Sequence, residues 1–361
     1  VHGLKPQLIS TFKLIHPGPA EPVIISCMPS TVKINDLSQI LAPIAPDFKA
    51  LDEVIRVKLA SKVALIDQIS TYIIQAGGKR VRPALLMLVA KALAHGKTAP
   101  YALEMAAVVE FIHTATLLHD DVVDESTLRR GRETANAAFG NAASVLVGDF
   151  LYSRAFQMMV IPNDLRVMEI LSDATNTIAE GEVLQLLNMN DPEVDEASYL
   201  QVIRYKTAKL FEASTELGAI LANASDKNRA QAAAFGRHIG TAFQLMDDLL
   251  DYTANAAQMG KNAGDDLREG KPTLPLIFLL EHGTPEERLL VRAAIEQNQD
   301  LPNDVFAQIL QSVQSSGALE YTQAAAKREA DLALNCIQDF PENEATSALR
   351  VLCEYSLARQ A

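Results

Sequence analysis

Two stretches of this sequence gather carboxylates inside apolar surroundings. The first, Leu117-Leu118-His119-Asp120-Asp121-Val122-Val123-Asp124, closes an apolar segment running through Val108, Val109, Phe111 and Ile112. The second, Phe243-Gln244-Leu245-Met246-Asp247-Asp248-Leu249-Leu250-Asp251, repeats the Asp-Asp-x-x-Asp spacing. On a helix the outer aspartates of each cluster lie one turn apart on one face, with the middle one beside them. Two like charges about 4 Å apart repel by about 1 kcal/mol in water, and several times more where the dielectric falls. One such cluster alone reads as a solvated helix face. Two in apolar settings do not, because carboxylates there are costly unless paired or metal-bound. Facing each other across a cavity, they would form an all-oxygen site for a hard divalent cation. Magnesium fits best, since it takes a few carboxylates plus substrate phosphates. The Asp-x-Asp-x-Asp-Gly loop of a calcium EF-hand does not occur.

Cations accompany these clusters. Gly77-Gly78-Lys79-Arg80-Val81-Arg82-Pro83 places three after a Gly pair, Arg129-Arg130-Gly131 follows the first Asp cluster, and Lys206, Lys209, Lys261 and Lys271 lie further on. Singly, each suits a salt bridge or a solvated surface, and Lys209 in particular reads as a solvated helix residue. As a set they suit a diphosphate, because metal and Arg/Lys together stabilise negative charge as it departs. His113 precedes Asp120 by two helical turns and so falls on the carboxylate side, where it is placed to hold a phosphate; His119 reads as a packing residue. Neither phosphate-binding glycine fingerprint occurs, and Glu110-Phe111-Ile112-His113 has no second Glu-x-x-His to make a di-iron pair.

Helices must carry these groups. From Asp47, Leu51, Val54, Ile55, Leu59, Val63, Ile66, Ile69 and Ile73 recur in steps of three and four, with Asp47 as cap and Gly77-Gly78 as stop. The same period returns over Pro83 to Ala94, Pro100 to Asp124, Ala135 to Val160, Leu165 to Met189, Ala197 to Ala224 and Lys227 to Tyr252. Thr284-Pro285-Glu286-Glu287 has the pattern of a capping box. No run alternates with period two for long enough to make a strand. The expectation is an all-α protein: a large helical bundle forming one domain over 47–361, preceded by a Pro-rich extension over 1–46 that holds seven of the sixteen prolines. That extension has neither signal-peptide nor transit-peptide character, and Met28 is a candidate native start.

Composition narrows the partners. The 361 residues carry 32 Lys+Arg against 45 Asp+Glu, a net charge of −13 that disfavours nucleic acid. With 48% apolar residues there is material for a core, yet no apolar run is long enough to span a membrane. Cys27, Cys336 and Cys353 show neither metal spacing nor a disulfide framework, which points to a reducing, cytoplasmic compartment.

The ordered set of motifs resembles the trans-isoprenyl diphosphate synthases. His119 to Asp124 with Arg129-Arg130-Gly131 matches their first aspartate-rich motif and Asp247 to Asp251 the second; Gly77 to Pro83, Lys206-Thr207, Phe243-Gln244 and Gly264-Asp265-Asp266 to Pro275 match in order. The resemblance covers about Leu51 to Leu357. It implies a bundle of the isoprenoid synthase type around a deep central cavity, and a homodimer. Asp120 and Asp124 would bind two magnesium ions, and Asp247 a third with Asp251 nearby. Asp121 and Asp248 complete the clusters. Arg129, Lys206 and Lys261 would hold an allylic diphosphate such as farnesyl diphosphate; Lys79, Arg82, His113 and Arg130 would hold isopentenyl diphosphate, with Lys271 as a further substrate-binding cation. Thr207 and Gln244 would face the developing allylic cation, and departing pyrophosphate would take the proton. The product expected is a long, octaprenyl chain for a quinone side chain, released with peripheral membrane contact. A geranylgeranyl-length product and a noncatalytic subunit of a heteromeric synthase are the alternatives.

Chain length has a physical reading on this frame. Ala115 and Thr116 lie just over one turn before Asp120, where small side chains leave room for a growing tail. Each isoprene adds about one helical turn of length, about 5 Å, so a long product needs a deeper floor, expected at Met159 and Leu171.

Overall fold

The computed structural model describes residues 37–75, 77–129, 131–253, 264–297 and 302–358. They lie within one unit running from Ile34 to Ala361, and the architecture is all-α as expected. Packed structure begins before Asp47: a short helix α1 (Leu37–Ile40) and a 3-10 turn (Ala42–Ile44) bury Ile40, Leu41 and Ile44 in the main core. Pro43 and Pro46 do not prevent this, because each sits in a first turn where its missing N–H has no helical partner to lose. Asp47 lies in the first turn of α2 (Ala45–Leu59) rather than capping it, and pairs with Lys91 at 3.7 Å.

The stripe expected to run unbroken to Ile73 is two helices. Ala60 turns extended (ψ 127°) and α3 (Ala64–Gln75) starts afresh. Next come α4 (Val81–Leu93) and α5 (Ala102–Val123), both buried on nearly every side and forming the centre of the bundle. A two-residue hairpin, β1 (Leu128–Arg129) with β2 (Arg132–Glu133), follows α5; this small antiparallel pair is more sheet than the period analysis allowed. The segment from Ala135 divides at Gly140 (φ +86°) into α6 (Ala135–Phe139) and α7 (Asn141–Met159).

Beyond α8 (Leu165–Asn188), the run expected over Ala197 to Ala224 is α9 (Glu196–Ile203), a π-helical turn (Arg204–Ala208) and α10 (Lys209–Leu221). The long α11 (Asp226–Asp251) packs against α10 and against a C-terminal helix. Then follow α12 (Asp265–Arg268), α13 (Leu274–His282), α14 (Pro285–Gln297), α15 (Asn303–Ser315), α16 (Ala318–Cys336) and α17 (Glu344–Ala358). The capping box forms at α14: Thr284 N–H donates to Glu287 Oε2 at 2.9 Å, and Glu287 N–H returns to Thr284 Oγ1 at 3.2 Å. Among the described residues no helix is long and apolar enough to cross a membrane.

Candidate active site

Both aspartate clusters sit at the C-terminal ends of helices. Helix α5 ends with Glu125 in the left-handed region (φ +51°), closed by Ser126 N–H to Asp121 O at 3.0 Å and Glu125 N–H to Val122 O at 3.4 Å. Helix α11 ends at Asp251. A helix C-terminus carries negative partial charge, so carboxylates placed there deepen a negative potential that calls for cations.

The two ends share one cavity of about 1030 Å³, at the upper limit for small-molecule sites. Along α5, Glu110, His113, Thr116, Leu117, Asp120 and Asp124 form one stripe on its wall, spaced by three or four residues. From α11 come Phe243, Gln244, Asp247, Asp248 and Asp251. Two lysines pair with the first cluster. Lys271 Nζ lies 3.1 Å from Asp124 and 2.5 Å from Glu269; Lys206 Nζ lies 3.5 Å from Asp120 and 2.6 Å from Glu182.

Burial dominates the electrostatics. It raises Asp120, an effect that Lys206 opposes. Burial, followed by the charge of Asp266, pushes Asp248 and Asp251 up to about 8. Glu182 is likewise pushed up by burial to about 7, against the pull of Lys206. Burial alone would lower Lys271, yet Asp124, Glu269 and Asp266 hold its ammonium above the usual lysine range.

The remaining expected residues divide. Lys79, Arg82, His113, Arg129, Lys206, Thr207, Gln244 and Lys271 all line the cavity. Arg82 stacks on Phe211 with 4.6 Å to the ring centroid and lies 3.1 Å from His113 Nε2, so both are held before substrate arrives. Thr207 Oγ1 donates to Gln244 Oε1 at 3.0 Å, and Gln244 Nε2 donates to Asp248 Oδ1 at 2.7 Å. Asp121 corrects the expectation for its cluster: it is buried off the cavity wall, accepting from Arg129 Nε and Nη2 at 2.9 and 2.7 Å. Its geometry aims Arg129 rather than meeting a ligand. Lys209 is ion-paired with Asp173 and Glu212, also away from the wall. His119 packs, stacked on Tyr152 and 3.2 Å from Val145 O. Arg130 and Lys261 lie outside the described residues.

The chain-length residues need a second correction. Thr116 is on the wall, but Ala115, Met159 and Leu171 are buried in the main core and are not among the described wall residues. Ala115 follows a different line on α5, about 140° around the helix from Asp120 at 100° per residue. Ile178, Leu210, Phe211 and Phe243 supply the apolar wall instead.

Three participants escaped the sequence reading. Tyr199 donates to Asp248 Oδ2 at 2.5 Å, Glu182 binds Lys206, and Glu269 binds Lys271. None lies in an aspartate cluster; Glu182 alone had a local signal, being a carboxylate in the middle of an otherwise periodic helix.

The oxygen donors fit a magnesium site that substrate completes. Among the described residues no group of three or more His, Cys, Asp or Glu closes on one point, and magnesium takes part of its shell from substrate phosphates and water. Burial first, and the neighbouring charge of Asp266 second, raise Asp248 and Asp251, and a divalent cation bound there would favour their charged forms. Glu110 and His113 engage Arg80 (4.0 Å) and Arg82 (3.1 Å) respectively.

Residues 63–313 match the sequence model of the polyprenyl synthetase family. The chain is 49% identical over 327 residues to octaprenyl diphosphate synthase of Escherichia coli (strain K12), covering 91% of this chain and 98% of that protein. It is 46% identical over 327 residues to an all-trans-nonaprenyl-diphosphate synthase (geranyl-diphosphate specific) of Rhodobacter capsulatus, covering 90% and 99%. Among solved structures, a polyprenyl synthase from Caulobacter crescentus CB15 complexed with calcium and isoprenyl diphosphate superposes with a TM-score of 0.87 at 40% identity, covering 91% of this chain and all of that one.

Proposed function

The chain belongs to the polyprenyl synthetase family and is a prenyltransferase that elongates trans-polyprenyl diphosphates; from that premise we propose that it builds octaprenyl diphosphate for a quinone side chain, with the division of labour given below. The observation that carries this reading is the convergence of both aspartate clusters and six cations (Lys79, Arg80, Arg82, Arg129, Lys206, Lys271) on one cavity with an apolar wall.

Asp120, Asp124, Asp247 and Asp251 are the residues that would hold magnesium, three ions in all. When bound, the metal supplies positive charge against which an allylic diphosphate can leave. Lys206 and Arg129 take up the allylic diphosphate. Asp121 occupies one edge of the Arg129 guanidinium and thereby orients it. Lys79, just before α4, with Arg82 of α4 and His113 of α5, binds isopentenyl diphosphate in the same cavity.

The chain Tyr199–Asp248–Gln244–Thr207 sets the direction of each hydrogen bond. Thr207 donates its hydrogen bond to Gln244, so its lone pairs remain to face the carbocation that ionisation leaves. The new carbon–carbon bond forms when the isopentenyl double bond attacks that centre. A proton then leaves to the released diphosphate, and the double bond is restored without a side-chain base.

The proposed assembly is a homodimer. Leu146, Leu165 and Leu187 on α7 and α8 or beside them are 67, 74 and 71% exposed, apolar area suited to a second copy of this chain. A cytoplasmic site of action accords with Cys336 and Cys353, both unpaired. Release of so apolar a tail favours transient contact with a membrane surface. The test is to incubate the protein with farnesyl and isopentenyl diphosphates and magnesium, then size the dephosphorylated products. Eight-unit chains are expected; a four-unit product would move the assignment to the geranylgeranyl class, and no elongation would overturn it.

A further inference from the structure

The cavity wall between α9 and α10 is not ordinary helix. The Lys209 N–H bonds to Arg204 O, the i to i−5 step of a π turn, and Lys206 and Thr207 lie inside that turn. An extra residue in a helix rotates everything beyond it by about 100°, so the turn decides which way these two side chains point. Such turns are uncommon and need external support. Two supports are glycines. A Cβ on Gly181 of α8 would sit 2.7 Å from Lys206 N, and one on Gly240 of α11 would sit 2.8 Å from Ala208 Cα.

The third support is polar and lies off the cavity. Arg204 Nη2 donates to Glu329 Oε1 of α16 at 3.2 Å, while Glu329 Oε2 is 2.6 Å from His238 Nδ1 of α11. Arg204 thus supplies both the carbonyl that accepts the π bond and the side chain that anchors it. Neither Glu329 nor His238 is a wall residue of the cavity. We propose that Glu329, braced by His238, is a positioning residue that keeps the π turn in register and so holds Lys206 and Thr207 toward the allylic diphosphate. The role assigned to Lys206 rests on the function proposed above.

The inference makes an asymmetric prediction, because Lys206 and Thr207 lie inside the turn, whereas Lys79, Arg82 and His113 come from the segment before α4, from α4 and from α5, with only the Arg82 stack on Phe211 reaching past the turn. In Glu329→Ala, KM for the allylic diphosphate rises about tenfold, the loss of a charge-assisted hydrogen bond, and KM for isopentenyl diphosphate stays within about twofold. Glu329→Gln, which keeps an acceptor for Arg204, recovers most of the loss. Direct binding of a non-ionisable allylic thiodiphosphate should weaken by the same factor as KM. Equal rises in both KM values, or an unchanged allylic KM with unchanged analogue binding, would overturn the proposal. Should Glu329→Ala fail to fold by circular dichroism, Arg204→Gln carries the same expected split and the same contrary outcome. Absence of elongation by the wild-type protein would instead count against the proposed function, with the analogue-binding comparison still reading the role of Glu329.

Discussion

Lys271 Nζ stands 3.1 Å from Asp124 Oδ2, joining the segment that follows the second aspartate cluster to the last residue of the first. This contact places a largely buried ammonium between Asp124 and Glu269, on the cavity that the aspartates at the end of α11 also line. Replacing Lys271 by Met leaves Asp124 and Glu269 without their shared cation. Turnover should fall by about 10²-fold, the usual cost of removing one group that stabilises departing charge, with KM for the allylic diphosphate rising in steady-state assays.

Asp120→Asn should be more severe. It removes a metal-binding oxygen while keeping size and fold, and a loss of roughly 10³-fold in kcat is expected. Saturating magnesium should not restore the rate. A near-normal rate at high magnesium would count against the metal role of Asp120.

Product length should depend on which face of α5 a side chain occupies. Thr116 is on the cavity wall, with its hydroxyl bonded to His113 O at 2.8 Å. Thr116→Tyr therefore fills the path of the tail, and chromatography should show shorter products from a stable protein. Ala115 is fully buried in the core. Ala115→Tyr should overpack it, costing about 1–3 kcal/mol of stability, seen as a fall in Tm.

The acid limb of stability offers a separate check on the Arg204 brace. Burial raises Glu329, but its hydrogen bond and charge interaction with His238, together with Arg204, outweigh that and leave its carboxyl below the usual range. A depressed carboxyl contributes stability above its unfolded pKa and loses it as pH falls through the folded value. Wild type should be more stable than Glu329→Gln at neutral pH, and the gap should close as pH falls below about 4, as measured by urea unfolding across pH.

How far the fold could be read from residues shows where periodicity stops being informative. The heptad-like stripe located most helices and both aspartate clusters. It ran straight through Ala60 and Gly140, because apolar spacing continues across those breaks and only the backbone turns, extended at Ala60 and at φ +86° in Gly140. The π turn at Arg204 has no residue signature at all. Within the site, the aspartates were legible as a repeated local pattern, and Lys206-Thr207 through the resemblance of the ordered motifs. Tyr199, Glu182 and Glu269 were not, because their roles come from contacts made only on folding: Tyr199 meets Asp248 49 residues away. Spacing placed Asp121 beside the aspartates proposed to hold metal, and folding pairs it with Arg129 at 2.7 Å instead.

The central claim, that two distant acidic clusters act at one mouth as a unit, is tested most directly by a double-mutant cycle in kcat/KM with Asp124→Asn and Asp247→Asn. Groups serving one shared site are strongly non-additive, so the double variant should be no slower than the slower single variant within about threefold. Losses that simply multiply, each variant acting as though the other were absent, would contradict the account.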